Sequence, residues 1–206
     1  AVHVSCNDVA ANGASPVGVQ VVLLLPESYP EQELAVLMED IDKAAGELGI
    51  EVLGGHTELT SKVKEPLVVV TALGRAPRHG FVSSGGARPG DDLVISKGIG
   101  IEGTAILATD FEELLRPLVG KEVITRSQGF WSEISVVPEG RIGAAHGVSA
   151  MHDVTEGGLY GALWEMAEAS KVGVEVWQER VPIRSETDLI CQHLGLDPLG
   201  LISSGT

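Results

Sequence analysis

The chain has 206 residues, a formal charge of −15, 44% hydrophobic and 21% charged residues, which describes a globular protein with one large core or two smaller ones. Its acid excess excludes nonspecific binding to nucleic acid or an anionic membrane surface, so an anionic ligand would need a divalent cation or helix N-termini to offset the repulsion. Aromatic residues are only 4%, which leaves the core to Val, Leu, Ile and Ala.

Residues 1–6 alternate around Val2 and Val4 and predict a strand, with Asn7-Asp8 at its C-terminal end and a short helix over 9–14. Residues 17–25 are apolar on both faces and predict a buried central strand ended by Pro26. That run is too short to cross a bilayer, and no signal peptide pattern is present. Residues 31–48 predict an amphipathic helix, with Leu34, Leu37, Met38, Ile41, Ala45 and Leu48 on one face and Gly49 as the stop. A short strand over 50–53 then runs into a loop, Gly54-Gly55-His56-Thr57-Glu58, and 67–73 predicts another buried strand.

Glycines and Pro89 within 79–90 mark a linker between a first unit, 1–78, and a second, 91–206. In the second unit the pattern predicts a strand over 91–96, helices over 102–109 and 111–118, and a helix with a loop over 121–137. A short helix over 138–147 follows, with Pro138 near its first turn. Residues 149–176 organise this unit: a polar loop, His152 to Glu156, turns through Gly157-Gly158 into a helix bearing Leu159, Ala162, Leu163, Met166 and Ala167 on one face. A strand over 174–177, a last helix over 185–194 stopped by Gly195, and the start of a strand near 201 complete the chain. The mixture predicts the α+β (α/β) class. The missing Met at residue 1 and the strand-like ends suggest a piece of a longer protein. Cys6 and Cys191 form neither a metal pattern nor a disulfide framework, so a reducing cytoplasm is the expected compartment.

Three loops carry candidate chemistry. Asp8 and Glu58 are hard oxygen ligands suited to Mg²⁺ that also holds phosphate oxygens, and Asn7 and Thr57 add neutral hydrogen-bonding groups. Paired glycines at a helix start let a backbone approach an anion closely, although a glycine pair by itself more often serves packing. His56 and His152 have the chemistry of an acid or base near neutral pH. Residues 98–103, GIGIEG, match a dinucleotide fingerprint after a strand and before a helix. No second buried strand ending in a ribose-binding acid follows, so a tight turn packing helix on strand is the stronger reading.

In this order, Asn7 to Ala14 (NDVAANGA), Gly54 to Glu58 (GGHTE), Gly98 to Thr104 (GIGIEGT) and His152 to Leu159 (HDVTEGGL) resemble the aminoimidazole ribonucleotide (AIR) synthase-like ATP-binding superfamily. That group includes AIR synthase, formylglycinamidine synthase, selenophosphate synthetase, thiamine-monophosphate kinase and HypE. MHDVTEGG, the ALWEMAEAS helix and the VPIRSET segment are most similar to its HypE-like or AIR synthase-related branch. The resemblance implies a PurM-like two-domain architecture, an N-terminal mixed sheet with flanking helices and a partial C-terminal α/β domain, in a homodimer whose first-unit strands close a shared barrel. It implies ATP- and Mg²⁺-dependent phosphoryl transfer to an amide-like or oxygen-bearing acceptor, related to hydrogenase maturation, with a protein acceptor among the partners. By the same resemblance Asn7, Asp8, Gly54, Gly55, His56, Thr57, Gly157 and Gly158 bind nucleotide, and Asp8 and Glu58 bind the metal. The family's glycine-rich acidic loop would precede residue 1, its C-terminal cysteine tail would follow residue 206, and many HypE sequences carry Arg where this chain has Glu156. The alternative expectation is a non-catalytic nucleotide- or partner-binding module on the same scaffold.

Overall fold

The computed structural model describes residues 1–78 and 80–206; His79, the first residue of the expected linker, lies outside the described residues. A helix, α1 (Val2–Ala11), opens the chain where a strand was expected. Two valines alternating over six residues are too short a pattern to decide. The stripe that folding uses is Val2, Cys6 and Ala10, spaced i, i+4, i+8 and all buried. Asn7 and Asp8 therefore sit inside a helix, not at a strand end.

Strand β1 (Ser15–Leu25) is central in a three-stranded sheet of order β2-β1-β3. The amphipathic helix α2 (Glu31–Leu48), closed by Gly49 in the left-handed conformation, carries the chain to β2 (Glu51–Leu59), which pairs parallel to β1. Strand β3 (Leu67–Arg75) pairs antiparallel on the other side. Strand β2 absorbs the expected loop at 54–58, because the ladder continues through a bulge opposite Val19 and Gln20. Glycine is required in that bulge: Gly54 and Gly55 have φ of 146° and 155°.

Because side chains alternate, Val19, Val21, Leu23 and Leu25 of β1 face a core formed with Val2, Cys6 and Ala10 of α1 and Ile41 and Ala45 of α2. Burying a leucine such as Leu23 or Leu25 stabilises this layer by about 2 kcal/mol. Among the described residues no helix covers the opposite face of the sheet. It carries Val22 and Leu24 beside the exposed Leu67, Val69 and Leu73 of β3.

The second unit is helical: α3 (Ile101–Asp110), α4 (Glu112–Val119), α5 (Lys121–Gln128), α6 (Val137–His146), α7 (Gly158–Ser170) and α8 (Ser185–Leu194). Ala108, Leu115, Ile124 and Ile190 form one of its cores, and Ile99, Leu159, Val181 and Leu199 another. The strands expected at 91–96, 174–177 and 201–206 do not form. Among the described residues the only pairing near them is an isolated parallel bridge between Ile99 and Ile183. A strand needs a neighbour to satisfy its backbone, and with none alongside, Val94 is left 86% exposed.

Helix α6 lies across the unit boundary. Val137 joins the first-unit core, and a Cβ at Gly140 would collide with the backbone of Ala10. Helices α1 and α6 thus pack together at Ala10 and Gly140, on the helix that carries Asp8.

Candidate functional site at the junction of the units

The junction is built around Asn7. Its side chain is fully buried; Nδ2 donates to the Ile134 carbonyl at 2.7 Å, and Oδ1 accepts from the Val136 N–H at 2.8 Å. One amide therefore satisfies two backbone groups of the turn between the 3-10 helix Gly129–Glu133 and α6. The next residue, Asp8, is exposed on α1 and lies within electrostatic reach of the loop before α7.

Three charged groups of that loop act on Asp8. Partial burial raises its carboxyl above the usual range, the Asp153 carboxylate raises it further, His152 opposes the shift, and Glu156 adds to it. Asp153 is buried at 6% exposure, and its Oδ2 has no hydrogen-bond partner. The Asp153 carboxylate thus acts electrostatically on Asp8 while one of its own oxygens is orphaned, and an uncompensated buried acceptor costs about 1–3 kcal/mol. Positive charge placed between them would relieve both.

His152 supplies part of that charge. Its Nδ1 lies 2.7 Å from the Asp153 carbonyl and its Nε2 2.6 Å from Glu165 Oε2 on α7. Both nitrogens face acceptors, as suits the doubly protonated ring. The Asp153 side chain first, then Glu165 and the Asp153 backbone, push the imidazole up to about 9 against the effect of burial. A folded pKa above the unfolded value of 6.5 gives stabilisation that is complete below pH 6.5 and is lost as pH rises through 9. We expect the stability difference between wild type and His152→Gln to shrink by on the order of 2 kcal/mol across that window. Urea unfolding at pH 6 and pH 9.5 measures it, and a pH-independent difference would contradict the assignment.

The other expected site residues do not join this cluster. Register places His56 and Glu58 beside Val22 and Leu24, on the sheet face opposite α1. There His56 Nε2 lies 3.3 Å from Glu58 Oε2. Within one chain the sheet separates Glu58 from Asp8, so the expected Asp8–Glu58 pair is not assembled. Thr57 pairs with Leu23 and so lies on the other face of the same strand. Gly55 is pressed against β1, since a Cβ there would overlap the Val21 carbonyl. Gly157 and Gly158 both adopt left-handed backbone, with φ of 81° and 59°. The Gly158 N–H is bonded to the Thr155 carbonyl at 3.1 Å, and a Cβ at Gly158 would collide with the backbone of 199–201. Packing accounts for Gly55 and Gly158 directly, and the Gly158 N–H is not free to face an anion.

The GIGIEG turn is likewise occupied. The Ile99 N–H donates to the Pro182 carbonyl at 2.8 Å, Gly100 N–H to Ser203 Oγ at 2.7 Å and Gly103 N–H to the Ile202 carbonyl at 2.9 Å. The first donor ties the turn to residue 182 and the other two to residues 202–203, so these three N–H groups are engaged within the chain, in line with a packing turn. Sequence reasoning missed Lys97, Glu133, Ser135, Glu139, Glu165 and Arg184, which brace the junction. The signal for Glu165 was its place on the polar face of α7; the others lie too far apart in sequence to be paired by inspection.

Among the described residues no three His, Cys, Asp or Glu side chains converge as a complete metal cage. Mg²⁺ does not require one. It commonly takes one or two carboxylates and completes its octahedron with water and phosphate oxygens. The orphaned Asp153 Oδ2, on a carboxylate that acts electrostatically on Asp8, fits that partial donor set.

A small mixed sheet under two helices, joined through a carboxylate-bearing junction to a helical second unit, defines an α+β protein with a polar site between its units. The chain belongs to the AIR synthase related family: the AIR synthase related protein N-terminal domain matches residues 1–76 and the C-terminal domain matches residues 88–206. It is 32% identical over 209 residues to carbamoyl dehydratase HypE of Azotobacter vinelandii, covering all of this chain and 58% of that protein. It is 30% identical over 211 residues to a putative hydrogenase expression/formation protein of Methanocaldococcus jannaschii, covering all of this chain and 59% of the relative. Hydrogenase maturation protein HypE in complex with ATP has a similar structure, with a TM-score of 0.79 at 27% identity over the whole chain and 59% of that structure. The chain thus spans less than two thirds of these relatives. No helix among the described residues is long and apolar enough to cross a membrane.

Proposed function

We propose that this chain carries the nucleotide site of a HypE-like enzyme that uses ATP and Mg²⁺ to phosphorylate an amide-like or oxygen-bearing acceptor, in hydrogenase maturation and in the cytoplasm. The observation that carries the reading is the buried, unpartnered Asp153 Oδ2 in a loop whose charged residues act electrostatically on Asp8 of α1. In phosphoryl transfer the protein contributes mainly positioning and charge neutralisation. Asp8 and Asp153 would hold the cation, which when bound offsets the charge of the phosphates. Protonated His152, fixed by Glu165, keeps positive charge beside the two carboxylates. Asn7, with both amide atoms engaged inside the chain, fixes the helix that presents Asp8.

The uncovered sheet face supports a homodimer. Val22, Leu24, Leu67, Val69 and Leu73 form an apolar surface alongside His56 and Glu58. A second copy stacked on this face would bury those side chains. It is also the route by which Glu58, cut off from its own Asp8 by the sheet, would reach a junction site. A protein acceptor belongs to the same reading.

Thermal unfolding with ATP, with and without Mg²⁺, tests the proposal on wild type and Asp8→Ala. At a ligand concentration near 100 Kd, binding stabilises by about 2.7 kcal/mol, which raises Tm by roughly 5–10 °C in a protein of this size. The shift should require Mg²⁺ and vanish in Asp8→Ala. No Mg²⁺-dependent shift in wild type would leave the scaffold as a partner-binding module.

A further inference from the structure

The turn that Asn7 reads is itself gripped from the second unit. Lys97 Nζ donates to the Ser135 carbonyl at 2.6 Å and to the Gly205 carbonyl at 2.9 Å, and pairs with Glu139 Oε1 at 2.8 Å. Three acceptors around one ammonium match its three N–H donors. Ser135 lies between Ile134 and Val136, whose backbone groups bond Asn7. At the other end of the turn Glu133 makes a two-pronged pair with Arg184, at 2.7 and 2.5 Å, and the guanidinium stacks 4.7 Å over Phe130. A cation–carboxylate pair therefore brackets each end of the short segment 133–139.

Lys97 occupies a conformation that its residue type disfavours. Its φ is 51°, in the left-handed region that glycine or asparagine adopts with less strain. A position that needed only a turn would be better filled by glycine, and Gly98 stands next to it. The lysine stands in strained backbone with its ammonium bonded to the turn. This pairing of backbone strain with a fully engaged cation points to the side chain.

We propose that Lys97 is a positioning residue: its ammonium fixes the 133–136 turn so that Asn7, and through it Asp8, is held against the His152-Asp153 loop. The connection runs from Lys97 to Ser135, from the flanking Ile134 and Val136 to Asn7, and along α1 to Asp8. Its functional consequence rests on the nucleotide reading above, whereas its structural content does not.

The test uses Lys97→Met, which removes the charge at similar length, and Lys97→Gly, which removes the ammonium while relieving the backbone. Glu139→Gln, which weakens the grip and leaves Lys97 in place, is the third variant and serves if the first two unfold. Two quantities are read in the intact protein: amide exchange at Val136 by NMR, and affinity for Mg²⁺-ATP. Both lysine variants should speed Val136 exchange by about tenfold or more, leave the β1 amides Val21 and Leu23 unchanged, and weaken Mg²⁺-ATP by about tenfold. Glu139→Gln should move both in the same direction by less. Wild-type protection of Val136 in Lys97→Gly would overturn the proposal, because the turn alone would then suffice. Faster Val136 exchange with unchanged Mg²⁺-ATP affinity would overturn the link to Asp8. If wild type does not bind Mg²⁺-ATP, the nucleotide reading fails, and Val136 exchange still decides whether Lys97 holds the turn.

Discussion

Replacing Asn7 by leucine should destabilise the fold by about 3 kcal/mol and lower Tm by roughly 6–12 °C. Leucine keeps asparagine's branched four-atom skeleton but is bulkier, so some repacking at this fully buried position adds to the loss. What is lost is the pair of bonds to the Ile134 carbonyl and the Val136 N–H. Both backbone groups then stay buried with no water to replace the amide, and each costs about 1–3 kcal/mol. Asn7→Asp separates the two bonds, since a carboxylate still accepts from Val136 but is repelled by the Ile134 carbonyl. The aspartate should therefore be no better than the leucine. Urea unfolding read by tryptophan fluorescence measures both, as Trp131 lies near this turn in sequence. A loss under 1 kcal/mol for Asn7→Leu would mean that the turn relaxes and finds other partners.

Asn7 also shows what a sequence hides. Next to Asp8 it reads as a ligand-binding neighbour, yet its partners are 127 and 129 positions away. Periodicity reports local structure and the side of an element that is buried. It served where an element is long and its stripe complete, as in α2, α7 and α8, and for the existence of β1 and β3, although β3, expected to be buried, has no buried residue. It failed for α1, where Val2 and Val4 mimic a strand while Val2, Cys6 and Ala10 decide. It failed again at 91–96 and 174–177, whose composition suits a strand but which find no neighbour to pair with. The four motifs behind the family resemblance were legible as strings, but their geometry was not. Charged residues of the HDVTEGG loop lie near enough to act electrostatically on Asp8, whereas GGHTE lies on the far side of the sheet and GIGIEG is tied to residues 182 and 202–203. Lys97 offered no signal, because neither its left-handed backbone nor its contact with Glu139, 42 positions on, can be inferred from residue type.

Gly55→Ala should be among the most damaging single-methyl changes in the protein, and Gly54→Ala a mild one. Both glycines have positive φ and both belong to the motif read as nucleotide-binding, so a role in ligand contact predicts comparable stability for the two unliganded variants. The structure separates them. A Cβ at Gly54 meets open space, which leaves only the backbone penalty of about 1 kcal/mol. At Gly55 the same atom overlaps the Val21 carbonyl on the neighbouring strand, and backbone cannot swing aside as a side-chain tip can. Relief requires β2 to move off β1, breaking the ladder from Val21↔Gly55 towards Leu25↔Leu59. The combined cost is on the order of 3–4 kcal/mol. The damage should also reach assembly, because β2 forms one side of the uncovered apolar face. Thermal unfolding of the two variants gives the stability difference, and sedimentation velocity shows whether Gly55→Ala shifts the oligomer towards monomer. Equal stability of the two variants would mean that the β1–β2 contact is looser than described and would return Gly55 to a ligand role.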